Sequence, residues 1–146
     1  MSHCLMEFGG ANAEGSLTFF SASPRIMNCT VRNSVSDGIH CNNASPRITS
    51  CRITSNGRDG VRTVNRANPT INNSAIFGNT EFGVRNFDTS QIINAEMNFW
   101  GDASGPLDDS NADGRGLMNP MGRGDRVSEF VDWDPFLPTD PTTPMP

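Results

Sequence analysis

The sequence predicts an all-β fold, a parallel β-helix solenoid of about four coils with an irregular C-terminal cap. Three observations carry that expectation. The stretch from Ser23 to Ser90 repeats itself, with copies opening at Ser23, Ser45 and Asn68, and a period of 20–50 residues marks a stacked repeat. Like residues recur at like offsets within the copies: Pro24, Pro46 and Pro69; Ile26, Ile48 and Ile71; Cys29, Cys51 and Ser74; Val31, Ile53 and Ile76; Gly38, Gly60 and Gly83; Ile39, Val61 and Val84. Each copy also holds three short apolar pulses separated by Asn, Ser, Gly and Pro, which leaves no room for the roughly 10-residue periodic run of a helix. The L-x-x-L-x-L signature of a leucine-rich repeat is absent. Three short strands and three turns per coil remain.

Residues 1–22 read as a degraded first coil. Cys4-Leu5-Met6 aligns with Cys29-Thr30-Val31, and Ser16-Leu17-Thr18-Phe19 with Gly38-Ile39-His40-Cys41, around a longer loop, GGANAEG. No amphipathic capping segment covers this coil in the sequence. An open β-helix end exposes unpaired backbone groups and core, so the expectation is either the remainder of a longer chain or a homo-oligomer stacked through the N-terminal coil.

In the three clear coils the Gly-Ile/Val strand alternates, because successive side chains point to opposite faces. Ile39, Val61 and Val84 point inward; Thr18, His40, Arg62 and Arg85 then form an outward row; Cys41, Thr63 and Asn86 point inward again. Asn33, Asn42, Asn43 and Asn79 suit left-handed corners. Residues 91–101 form the last partial coil, with Ile93 in the place of Ile71 and Phe99-Trp100 as apolar cover. Residues 102–137 read as an irregular capping segment in which Trp133 and Phe136 pack across the open end. The tail at 138–146, rich in Pro and Thr, reads as an extended, mobile linker.

The bulk numbers narrow the function classes. A chain of 146 residues with net charge −5, its arginines scattered and lysine missing, is a poor nucleic-acid binder. No run approaches the ~18 apolar residues of a membrane span. The opening MSHCLMEFGG is not a signal peptide, since Glu7 interrupts its apolar stretch. Cys4, Cys29 and Cys51 fall at one position of successive coils, where side chains run parallel, so a column of reduced thiols is expected rather than disulfides.

The pattern N-P-T-I-x-x-S-x-I-x-x-N…G-V from Asn68, with Asn98-Phe99-Trp100-Gly101…Ser104-Gly105-Pro106 and Val131-Asp132-Trp133-Asp134-Pro135-Phe136-Leu137, resembles the right-handed parallel β-helix proteins with a pectate-lyase-like fold. The resemblance covers roughly residues 17–137 and implies a right-handed solenoid, with an extracellular or cell-surface parent. It leaves activity open, because the family holds lyases, hydrolases, epimerases and non-catalytic surface proteins.

In the resembling enzymes the strand face bearing the outward row carries the polysaccharide groove. That makes Thr18, His40, Arg62 and Arg85, flanked by Phe20 and Phe87, a candidate saccharide-binding surface. Asp37 and Asp59 are expected to neutralise the arginines. With His40 and Arg62 they are also the candidate catalytic set, since hydrolysis uses paired carboxylates and lyase chemistry a base with bound calcium. The other reading of the same residues is a solvated charged face. Asp109-x-Asn111-x-Asp113-Gly114 has the early spacing of a calcium loop, but Pro120 stands where a bidentate Glu belongs. Arg123-Gly124-Asp125 spells an adhesion tripeptide. The leading expectation is a non-catalytic module for binding or assembly; the alternative is a small carbohydrate-binding or polysaccharide-degrading protein.

Overall fold

The computed structural model describes residues 4–10 and 15–142. The loop at 11–14 and the last four residues of the tail lie outside the described residues. Among the described residues thirteen strands follow one another: β1 (Leu5–Glu7), β2 (Gly15–Phe20), β3 (Arg25–Met27), β4 (Thr30–Arg32), β5 (Asp37–Asn42), β6 (Arg47–Thr49), β7 (Arg52–Thr54), β8 (Val61–Val64), β9 (Thr70–Asn72), β10 (Ala75–Phe77), β11 (Val84–Asn86), β12 (Ile93–Asn94) and β13 (Val131–Asp132). They make three sheets. The first holds β3, β6, β9, β12 and β13, the second β1, β4, β7 and β10, and the third β2, β5, β8 and β11. Strand pairing is parallel throughout and joins equivalent residues of successive coils. Ile39 lies beside Val61 and Val61 beside Val84, as the repeat predicts.

Parallel register turns each repeated position into a column. Ile26, Ile48 and Ile71 fill the interior from the first sheet, Val31, Ile53 and Ile76 from the second, and Ile39, Val61 and Val84 from the third; all are fully buried. Each contributes about 1.5–3 kcal/mol relative to exposure. Stacked glycines let the coils close up: a Cβ on Gly60 would sit 2.6 Å from the Gly83 carbonyl oxygen. The thiol column stands as expected, with no disulfide among the described residues; Cys29, Cys41 and Cys51 are free. Burial pushes the Cys41 thiol up to about 12 and that of Cys51 to about 11, so neither is a nucleophile near neutrality.

Corners between sheets need the chain to turn sharply, and they do so in the left-handed region whatever the residue. Asn28, Ser50, Asn73 and Met97 precede successive rungs of the second sheet, and Phe8, Asn33, Ser55 and Gly78 follow them, all with positive φ. Asn43 fits its expected corner, but Asn42 lies in β5 and Asn79 gives that role to Gly78. Instead, Asn79 joins a buried amide ladder. Its Oδ1 accepts from the backbone N–H and Nδ2 of Asn56 at 3.1 and 2.9 Å, and its Nδ2 donates to Ile53 O at 3.1 Å and Asp125 Oδ2 at 2.8 Å. Asn56 in turn accepts from Ser34 N. The ladder supplies partners for backbone groups at a corner where the sheet cannot continue.

One expectation for the C-terminal half, the place of Ile93, is corrected. Asn94 pairs with Thr70, so the next position sets Ala95, not Ile93, beside Ile71; a longer turn shifts this coil's register. The segment after residue 101 is irregular only in part. The chain leaves the solenoid at 102–124, then returns: Val127 bridges Val84, β13 pairs with β12, and Leu137 N donates to Asn98 O. Trp133 and Phe136 pack across this end as expected, with ring centroids 6.0 Å apart, and Trp133 Nε1 donates to Asp108 Oδ2 at 2.8 Å. Where the sequence suggested a free tail, Asp140 and Thr142 bind Arg52.

Replacing Asn79 with Ala strands buried donors and acceptors on both neighbouring rungs. A stability loss of about 2–4 kcal/mol in urea unfolding is expected. Gln91→Ala, which removes an exposed ladder contact to Asn68, is expected to cost about 0.5 kcal/mol or less. Equal costs for the two would contradict the ladder's assigned role.

Candidate functional site

The third sheet places the outward row in register: Thr18 beside His40, His40 beside Arg62, Arg62 beside Arg85. Two guanidiniums on adjacent strands repel unless something offsets them. Aromatic rings do much of this. The Arg62 guanidinium carbon lies 4.3 Å from the Phe87 ring centroid, and that of Arg85 lies 3.9 Å from Phe82 and 5.4 Å from Phe87. Ring faces carry partial negative charge and hold both cations in place. Arg85 Nη1 also donates to Glu81 Oε2 at 3.1 Å, and Glu81 lies 3.9 Å from Arg58 Nε. Arg62 Nε and Nη1 are buried and have no hydrogen-bond acceptor.

The row does not form one continuous surface with both flanking rings. Phe20 and Phe87 share a column, but Asn42 and Val64 separate them. Both are exposed, and only Phe87 meets the arginines. Thr18 turns its hydroxyl back to donate to Gly15 O at 3.2 Å.

Asp37 and Asp59 lie beneath the row rather than on it; both are 0% exposed. Asp37 Oδ1 accepts from Asp59 N at 3.2 Å, and Asp37 Oδ2 is 3.3 Å from His40 Nδ1. The Asp59 carboxylate has no hydrogen bond; its nearest cation is Arg85, at 3.8 Å. Burial above all, with the Asp37 and Glu81 carboxylates, pushes the Asp59 carboxyl up to about 6 against the pull of Arg85 and Arg62. These carboxylates lie beneath the row, Asp37 against His40 and Asp59 near Arg85, and no oxygen of either reaches solvent. The geometry thus brings together Asp37, His40, Asp59, Arg62 and Arg85 as an electrostatic cluster, while leaving the carboxylates unable to touch a substrate as a catalytic pair.

Glu81 and Phe82 were not legible as members of the cluster. Gly60 N donates to Phe82 O just as Gly38 N does to Asp59 O, so Phe82 occupies the column position of Asp37 and Asp59. The signal was in the alignment, one residue before each stacked glycine, hidden by a change from carboxylate to ring.

The other motifs resolve differently. Asp109 pairs with Arg126 at 2.8 Å, Asn111 Oδ1 accepts from Gly116 N, and the Asp113 oxygens accept from Arg115 N and Phe130 N. Their oxygens accept from separate partners, and no group of three metal-binding side chains occurs among the described residues. Asp125 of the adhesion-like tripeptide accepts from Gly78 N, Asn79 N and Asn79 Nδ2, so its carboxylate closes the amide ladder. A cavity of about 270 Å³, lined by Asn28, Cys29, Ser50, Arg52 and Thr142, lies at the second sheet, away from the row.

Residues 6–109 match the family model described as the right handed beta helix region. No curated protein and no solved structure matches the chain significantly.

Asp59 sets a pH dependence whose sign is fixed. Its folded pKa lies above the unfolded value of 3.8, so its protonated form favours folding; that stability is complete below about 4 and lost as pH rises through about 6. Asp125, raised to about 6 by burial, acts in the same direction. Asp88 and Asp102 are lowered by their serine hydrogen bonds, and in Asp113 and Asp140 burial is outweighed by hydrogen bonds and nearby arginines; these four contribute the opposite way, losing stability only below about 4. Chemical denaturation across pH is therefore expected to show maximal stability between about pH 4 and 6. Asp59→Asn is expected to remove roughly 1 kcal/mol of the fall between pH 5 and 7; an unchanged slope would contradict the assignment.

Proposed function

The chain belongs to the right-handed β-helix family, and from that premise we propose that it is a non-catalytic module for binding or assembly, whose first coil docks another β-helical rung. One observation carries this reading: among the described residues, β1, β2 and β3 are each the outermost strand of their sheet on the same side. There Met6 and Phe19 are half-covered, whereas Val31 and Cys41, one rung down, are fully buried. The opposite side is sealed by Trp100, Trp133 and Phe136. Three edge strands arranged around an apolar interior are complemented by one shape, another rung of the same cross-section. That rung belongs either to a longer surface protein closed by this module or to a second copy stacked as a homo-oligomer.

A second reading is supported by the third sheet. The exposed rings of Phe20 and Phe87 and the fixed guanidiniums of Arg62 and Arg85 suit a saccharide, which stacks on rings and hydrogen-bonds to planar cations. The sealed carboxylates favour binding over cleavage.

Light scattering over a range of concentrations is expected to show reversible association of this chain. Leu5→Lys, on the exposed edge strand β1, is expected to weaken it by tenfold or more, since edge lysines block strand addition. A strict monomer at every concentration removes the self-stacking form. For the second reading, binding on a glycan array is expected to fall at least about fivefold in Phe87→Ala, given the ~1 kcal/mol of a ring contact.

A further inference from the structure

We propose that Arg62 and Arg85 together receive one anionic group of a ligand, a carboxylate or sulfate, and that buried Asp59 is the internal counter-charge that releases them when it takes a proton. The inference rests on the saccharide reading of the third sheet and specifies the ligand's charge and its control. The charged groups around Asp59 come from every element packed against it: Asp37 and His40 from β5, Arg62 from β8, Arg85 from β11, and Arg58 and Glu81 from the turns.

Counting them gives the device. Arg58, Arg62 and Arg85 face Asp37, Asp59 and Glu81, so the cluster is neutral with Asp59 ionised and His40 neutral. Protonation of Asp59 leaves one positive charge uncompensated, at the two guanidiniums that line the surface. Their geometry is already set by Phe82 and Phe87, and both side chains keep part of their surface in solvent, with Arg62 Nε and Nη1 sealed beneath it. A ligand anion thus finds fixed donors, which give charge-assisted hydrogen bonds at low ordering cost. No covalent step is involved; one proton moves from solvent to the Asp59 carboxylate as the anion binds.

The column supplies an independent argument. Phe82 takes the place of Asp59 one rung on, so the fold accepts an apolar residue there. Asp59 has no hydrogen bond that the backbone depends on, and its charge is held against burial. Its structural contribution is unfavourable near neutrality; its effect on Arg62 and Arg85 is what remains.

The test uses the whole chain with polygalacturonate, dextran sulfate, uncharged dextran and sodium sulfate as probes, by titration calorimetry in two buffers of different ionisation heat. Both acidic polymers are expected to bind about five- to tenfold more tightly at pH 5 than at pH 7, a proton-linked gain of up to tenfold per pH unit. Net proton uptake, read from the buffer difference, checks this in the unsubstituted chain. Asp59→Asn is expected to bind at pH 7 as the parent does at pH 5, with no pH dependence, while His40→Asn retains it. Arg62→Gln and Arg85→Gln are expected to lose tenfold or more, with unchanged circular dichroism. Competition by sodium sulfate supports the anion site and identifies a free ion as sufficient. A flat pH profile, no proton uptake, or persistent pH dependence in Asp59→Asn overturns the inference. If only uncharged dextran binds, and Phe87→Ala abolishes it, this inference fails while the saccharide reading stands.

Discussion

Every structural feature of this chain depends on the hydrogen bond that joins a residue to its counterpart one coil away. Because the sheets are parallel and in register, the neighbour of each side chain is the same position in the next copy. A column is therefore selected as a whole. Aliphatic residues stack well on themselves, as the Ile26, Ile48 and Ile71 column shows. Amides also do, because one side chain carries both donor and acceptor; Asn56 and Asn79 extend the backbone pattern through a corner that no strand can turn. Charges do not. Asp37 beside Asp59 and Arg62 beside Arg85 are two columns where repetition works against stability, and they lie against each other. The candidate site is the place where the stacking rule is broken twice.

The same rule explains what could be read from sequence. A strict period exposes columns, so the three interior rows, the outward row of Thr18, His40, Arg62 and Arg85, and the thiol column were all legible. Parity placed Cys41, Thr63 and Asn86 inside correctly, because alternation along a strand is rigid. The same parity, counted back two residues from Ile39 and Val61, turns Asp37 and Asp59 inward as well. A carboxylate's usual exposure argued against reading it that way. Ile93 was misplaced for a different reason: an added residue in the turn after Asn86 shifts the register, bringing Ala95 beside Ile71. The return of Val127 and Val131 to the solenoid left no periodic trace, since the 102–124 excursion separates them from the coils they extend.

Short motifs acquire or lose meaning through burial. The carboxylate of Asp125 suggests adhesion by its neighbours in sequence, yet three N–H groups claim it at the end of the amide ladder. Asp109, Asn111 and Asp113 have calcium-loop spacing, but each is committed to a different donor. Asp108, outside any motif, is the residue that satisfies the Trp133 indole and fixes the aromatic closure. At this end of the solenoid, polar side chains are used to terminate a pattern of hydrogen bonds that would otherwise have no last member. That use accounts for Asp108 and Asp125 at this end.

The two charged columns differ in what the fold asks of them. Asp37 has a structural task, accepting from Asp59 N and meeting His40. Asp59 has none of this kind, because the residue below it is Phe82 and its oxygens receive no N–H. A buried carboxylate without hydrogen bonds is costly, and the cost is offset only in part by Arg85 at 3.8 Å. The rings of Phe82 and Phe87 already hold the guanidiniums, so Asp59 is not needed to orient them. What it alone contributes is a charge that can be removed by one proton without moving an atom of the backbone. In a solenoid whose parts are fixed by their neighbours above and below, a change of charge is the one adjustment that leaves the stack intact.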